Sequence, residues 1–265
     1  MGRVSWSGVF AIGCIVQAFA WSAHAQTDDP NVVKHGDAAD ASARGMLLPL
    51  VIAPASDRKD LVVAHVVGGY DSALDTEVMR AVADVKVVGP VDLRFGMTYT
   101  PSALNGQVQP NFGLRVRILS QETSGIDFAA ALFYRLERFT DDEGLVQALV
   151  AAGRRLGRLN LVMHAAYGQD PEGDDREGEA ALAGLYQLAS AVQVGIENHL
   201  RFDLFSDDPK RGARRDAEYD LTVGPLVQWS VGPVALLGQV GFRASGFDDL
   251  TRTGAIALAG LAGTY

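Results

Sequence analysis

Three histidines, His65, His164 and His199, are the side chains of this 265-residue chain best suited to proton transfer or metal ligation near neutral pH. Glu197 stands two residues before His199, so in an extended segment the two share a face and form the best available acid–base pair. A hydrolase would also need a nucleophile beside the base. Ser245 falls on the polar parity of its segment, and no serine and histidine share an apolar parity near one another. The histidines stand on separate segments without ligand spacing, so spacing alone indicates no metal site. No Gly-rich phosphate loop, catalytic triad or nucleotide motif occurs, and no cofactor is expected.

The charged residues carry a stronger pattern. Arg80, Lys86, Arg94, Arg115, Arg117, Arg135, Arg201 and Arg243, with Asp84, Asp92, Asp127, Glu197, Asp203 and Asp220, occupy one parity of alternating segments. In 91–100, Val91, Leu93, Phe95, Met97 and Tyr99 oppose Asp92, Arg94, Gly96 and Thr98. In 110–119, Phe112, Leu114, Val116 and Ile118 oppose Gly113, Arg115 and Arg117. In 192–204, Gln193, Glu197, His199, Arg201 and Asp203 share a face, and Asn198 interrupts the apolar one. Period-two alternation is the mark of strands with one apolar and one polar face. Polar residues at nearly every second position over such a length do not suit a soluble core.

These faces require about twelve strands, near 60–70, 76–87, 91–100, 110–119, 125–136, 145–153, 158–168, 179–188, 192–204, 218–229, 233–245 and 254–265. Short gaps such as Val88-Gly89-Pro90 and Ser230-Val231-Gly232 alternate with longer polar ones, although 71–75 is short for its class. The gap 169–178, with Glu179 beside it, is strongly acidic through Asp170, Glu172, Asp174, Asp175 and Glu177. Hard divalent cations favour such oxygen clusters; the spacing is not that of an EF-hand, and a solvated loop is the plainer reading. The following gap carries Lys210, Arg211, Arg214 and Arg215. A rival arrangement makes helices of 75–86, 143–156 and 179–188, where Leu145, Leu149, Ala152 and Leu156 have helical spacing.

The first 25 residues read as a secretory signal peptide: Arg3, an apolar stretch from Gly8 to Trp21, and Ala23-His24-Ala25 at the cleavage point. The stretch is shorter than the roughly 20 residues a spanning helix needs. Lipidation of Cys14 would leave too short an apolar region. Cys14 is the only cysteine, so the mature chain has no disulfide or thiolate metal chemistry. Residues 26–59 are polar at first, with Asp28, Asp29, Asp37 and Asp40, and read as a disordered periplasmic lead; 60–265 forms the strand domain. The net charge of −9 excludes a basic nucleic-acid footprint. Beyond the leader no apolar run is long enough for a membrane helix, so a membrane protein with this sequence must be a closed barrel.

Short and long gaps in alternation, charges on one parity and aromatics on the other resemble bacterial outer-membrane β-barrels of the porin-like class over about 60–265. Tyr70, Tyr99, Phe112, Tyr134, Tyr167, Phe202, Tyr219 and Phe242 lie on the apolar parity near the long gaps, as an outer aromatic girdle would; Trp229 and Tyr265 fall at the opposite end. The resemblance implies an all-β, closed antiparallel barrel in a Gram-negative-type outer membrane. It also implies contact with membrane lipid and lipopolysaccharide. Leu261, Gly263 and Tyr265 resemble the C-terminal strand signal read by the barrel-assembly machinery, with Tyr in place of the commoner Phe. Opposition of strands n and n+6 would set Arg94 and Arg115 across from Glu197 and Asp220. That suits a narrow passive channel for small, preferentially anionic solutes. Lateral ion pairing that fills a closed structural or adhesive barrel is the alternative. An envelope-modifying enzyme or a soluble periplasmic protein is a more distant reading.

Overall fold

Alternation drives nearly the whole described chain into strands. The computed structural model describes residues 62–100, 107–136, 144–171, 175–206, 218–247 and 250–264. The signal peptide and the lead at 26–59 lie outside them, as do Tyr265 and the basic residues between 207 and 217. The strands are β1 (Val62–Asp71), β2 (Thr76–Val88), β3 (Val91–Thr100), β4 (Gln107–Leu119), β5 (Asp127–Leu136), β6 (Gly144–Leu156), β7 (Leu159–Gln169), β8 (Asp175–Ala189), β9 (Val192–Ser206), β10 (Tyr219–Val231), β11 (Val234–Phe247) and β12 (Leu250–Thr264). Each pairs antiparallel with its sequence neighbours, and β1 pairs with β12 to close the barrel. All three segments with a rival helical reading are strands.

One end of the barrel is built from tight hairpins. Gly89, Gly157 and Gly232, at φ of 52°, 59° and 59°, each open a two-residue turn. Positive φ at the first central position is the type II′ requirement, and its twist matches that of the flanking strands. Between β4 and β5 the turn contains a four-residue helix, α1 (Gln121–Ser124). The Gln121 side chain exchanges two 2.8 Å hydrogen bonds with the backbone of Arg155, so its amide continues the ladder to β6 beyond the start of β5.

Burial follows parity around the ring. Val66, Phe95, Leu132, Val240 and Leu261 are exposed on the outer surface. The opposite parity is buried and mixes two chemistries. Val63, Val67, Ala235, Leu237, Ile256, Leu258 and Ala262 form an apolar cluster inside the β11–β12–β1 closure. Elsewhere, smaller apolar clusters around Leu185 and Phe133 alternate with buried charged, histidine and amide side chains, including Asp84, Asp92, Arg94, Arg115, Gln147, His164, Glu197 and Gln239.

Candidate functional site in the barrel lumen

Backbone register decides which inward side chains meet. Asp84 pairs with Arg94 across β2–β3, and Asp92 with Arg115 across β3–β4. Arg94 donates from Nε and Nη2 to the two oxygens of Asp84 at 2.7 and 2.8 Å, a bidentate fork. Arg115 Nη2 donates to Asp92 Oδ2 at 2.9 Å and lies 3.5 Å from Asp84 Oδ2. Gly113 makes room for this packing: a Cβ there would lie 2.2 Å from a Phe133 ring carbon. Phe133 consequently lies inward with its ring centroid 5.9 Å from the Arg94 guanidinium carbon, within cation–π range. Arg94 and Arg115, which strand counting sets across from Glu197 and Asp220, make these ion pairs with carboxylates of neighbouring strands.

Nearer the long-loop end, pairing spans more strands. Arg135 on β5 reaches Glu177 on β8, with Nη2 to Oε2 at 2.7 Å, and Arg201 Nε lies 3.3 Å from the same oxygen. Gly168 lies between them; a Cβ there would stand 2.9 Å from Glu177 Cγ. On the other side, Arg243 bridges Asp71 at 2.8 Å and Asp220 at 2.6 Å, and the Ser245 hydroxyl donates to Asp220. Asp71 also accepts from Ala73 N at 2.9 Å, which fixes the loop between β1 and β2.

The third assembly lies on β7, β8 and β9. His164 and His199 both pair in register with Ala181, from opposite sides. The small alanine lets both imidazoles lean over β8 toward Glu179, two residues along on the same face. Glu179 Oε1 lies 2.7 Å from His164 Nε2 and 3.1 Å from His199 Nε2. Its other oxygen accepts from Gln147 Nε2 at 3.1 Å.

The remaining residues singled out from sequence are placed as follows. Glu197 is fully buried, and Arg80 lies within electrostatic reach of both Glu197 and Glu179. Lys86 faces Asp92 in register, and Arg117 is half-buried on β4. Asp127 accepts the Gln121 amide at 2.9 Å. Tyr70, Tyr167, Phe242 and, at the tight-hairpin end, Trp229 are exposed on the outer surface. Tyr99, Tyr134, Phe202 and Tyr219 are half-buried. The last three cover glycines of a neighbouring strand, Gly144, Gly178 and Gly246 respectively. A ring laid over a glycine restores the surface the missing side chain leaves bare.

One residue that matters lies in a different element from the one its position suggested. The gap 169–178 is shorter than expected because β8 starts at Asp175. Glu177 is therefore an inward strand residue, and Glu179, expected to open the strand, lies within it; Glu172 and Asp174 of the acidic gap lie outside the described residues. Sequence gives little warning of this: both glutamates share the inward parity with Ala181, Ala183 and Leu185, but Ala180, Leu182, Gly184 and Tyr186 on the other parity are apolar or small as well. Phe133 and Gln147 were missed as well, because an inward aromatic and an isolated amide stand out only when their neighbours are known.

No protein-family model matches the sequence, and no curated protein matches it. Among solved structures, the NanC porin matches at a TM-score of 0.55 and 12% identity, over 76% of this chain and 100% of that one. LpxR from Salmonella typhimurium matches at 0.48 and 10% identity, over 77% and 100%. An anion-selective porin from Comamonas acidovorans matches at 0.40 and 8%, over 77% and 98%. At such identities the likeness is one of fold, and the fold is that of bacterial outer-membrane β-barrels.

Proposed function

We propose that the protein resides in an outer membrane and passes small solutes, anions in preference, at low conductance through a narrow, ion-paired lumen. Apolar side chains exposed on the outside of strands all around the ring support contact with lipid, since a soluble protein seldom shows so much apolar surface. The anion preference rests on one observation. The inward parity of β2–β4 carries five basic residues, Arg80, Lys86, Arg94, Arg115 and Arg117, and two acidic ones, Asp84 and Asp92, a formal excess of positive charge contributed by those strands.

A second reading, a closed barrel of structural or adhesive function, draws on the depth of burial: Arg115, Glu177 and Glu197 are 3%, 2% and 0% exposed. Single-channel recording of the refolded mature protein in planar bilayers separates the two. The channel reading expects small, discrete, anion-preferring steps, shifted toward cations by Arg94→Glu combined with Arg115→Glu. Stable insertion without steps would overturn it in favour of the closed barrel. Steps with unaltered selectivity in the double variant would remove the β2–β4 wall from the permeation path.

A further inference from the structure

We infer that His164, Glu179 and His199 form a binding site for a single zinc-class divalent transition-metal ion in the lumen. Their donor atoms, two imidazole nitrogens and a carboxylate oxygen, all lie within 4.8 Å of one another. Both Nε2 atoms converge on the same oxygen, at 2.7 and 3.1 Å. Around a tetrahedral zinc with bonds of about 2.0–2.2 Å, ligand atoms stand about 3.3–3.6 Å apart, so the two oxygen–nitrogen contacts must widen, the shorter by about 0.6–0.9 Å, a side-chain movement that admits an ion between them. Two imidazoles and one carboxylate suit zinc and its transition-metal neighbours. Calcium and magnesium prefer larger sets of oxygens.

The surroundings are those of a built site. Gln147 donates to the second carboxylate oxygen and holds Oε1 toward the imidazoles, the kind of outer-shell support that orients metal ligands. The three donors come from adjacent strands whose register is fixed by continuous ladders, so the cluster is held by the wall itself. His164 is sealed against that wall, whereas the side chains of His199 and Glu179 remain 18% and 13% exposed, leaving an approach for the ion. Arg80 acts electrostatically on Glu179 and opposes a cation, while Arg201 is engaged by Glu177.

The test is cobalt(II) and zinc titration of the refolded full-length mature barrel in detergent, with folding verified by heat-modifiable gel mobility and a β-type circular-dichroism spectrum. One equivalent of cobalt with the intense visible bands of tetrahedral coordination, displaced by zinc, is expected. His199→Ala and Glu179→Gln should each abolish those bands, Gln147→Leu should weaken affinity about tenfold or more, and His65→Ala should leave binding unchanged. His199 is part-exposed, so its variant tests the ligand without opening the buried wall at His164. Absence of a tetrahedral spectrum in the folded protein would overturn the site. So would several weak equivalents per chain, or binding that survives both ligand variants. The readout does not depend on conductance, so it stands apart from the channel reading.

Discussion

Between β2 and β5 the interior is held by Arg94, Arg115, Asp84 and Asp92, with Phe133 over the first arginine. Across the β11–β12–β1 closure it is held by Val63, Val67, Leu237, Ile256 and Leu258. Both walls belong to one ring of ladders, yet they resist change differently. Each charge on the first wall depends on a named partner, because a buried ion left alone is costly. The apolar wall needs only volume, which neighbours can partly refill.

That difference can be broken by substitution. Arg115→Met should destabilise the refolded barrel most, by about 3–5 kcal/mol in guanidinium unfolding, since a buried ion pair loses one of its charges. Adding Asp92→Leu should recover most of that loss, because the buried carboxylate goes too. Leu237→Ala should cost about 2–4 kcal/mol, with no second substitution able to rescue it by removing a charge. Phe133→Leu, which keeps apolar bulk and removes the aromatic face under Arg94, should cost about 1 kcal/mol. If Arg115→Met proves milder than Leu237→Ala, or Asp92→Leu deepens the loss, the two walls obey the same rule and the comparison fails.

The same contrast explains what could be read from sequence. β3 and β4 are legible because Arg94, Arg115 and Asp92 alternate with Phe95, Leu93 and Leu114, so parity names both faces. β12 is not: Ile256 and Leu258 face inward while Ala255, Ala257 and Ala259 face out, and apolar residues on both parities carry no inside–outside signal. The histidine cluster was hidden for another reason. His164, Glu179 and His199 are each visible as inward residues, but their meeting depends on the register of β8 against both neighbours, which strand limits known to a few residues cannot supply. Lateral pairing of Arg94 with Asp84 was hidden in the same way: the short turn at Gly89 alone would set Asp84 against Phe95, and a bulge between Lys86 and Val88 shifts the register by one residue to set it against Arg94.

The ladder between β1 and β12 joins Val63 to Thr264 and Asp71 to Ile256. Residues roughly 200 positions apart in the chain therefore become neighbours, the kind of contact that forms late and slowly. Until then β1 and β12 each present an unsatisfied edge to any other strand nearby. Timing follows from this topology: eleven hairpins can zip up as soon as their halves exist, but the first strand waits for the last. A chain cut before residue 250 would keep most of its hairpins and still have no finished product, only a curled sheet prone to pairing with its own kind.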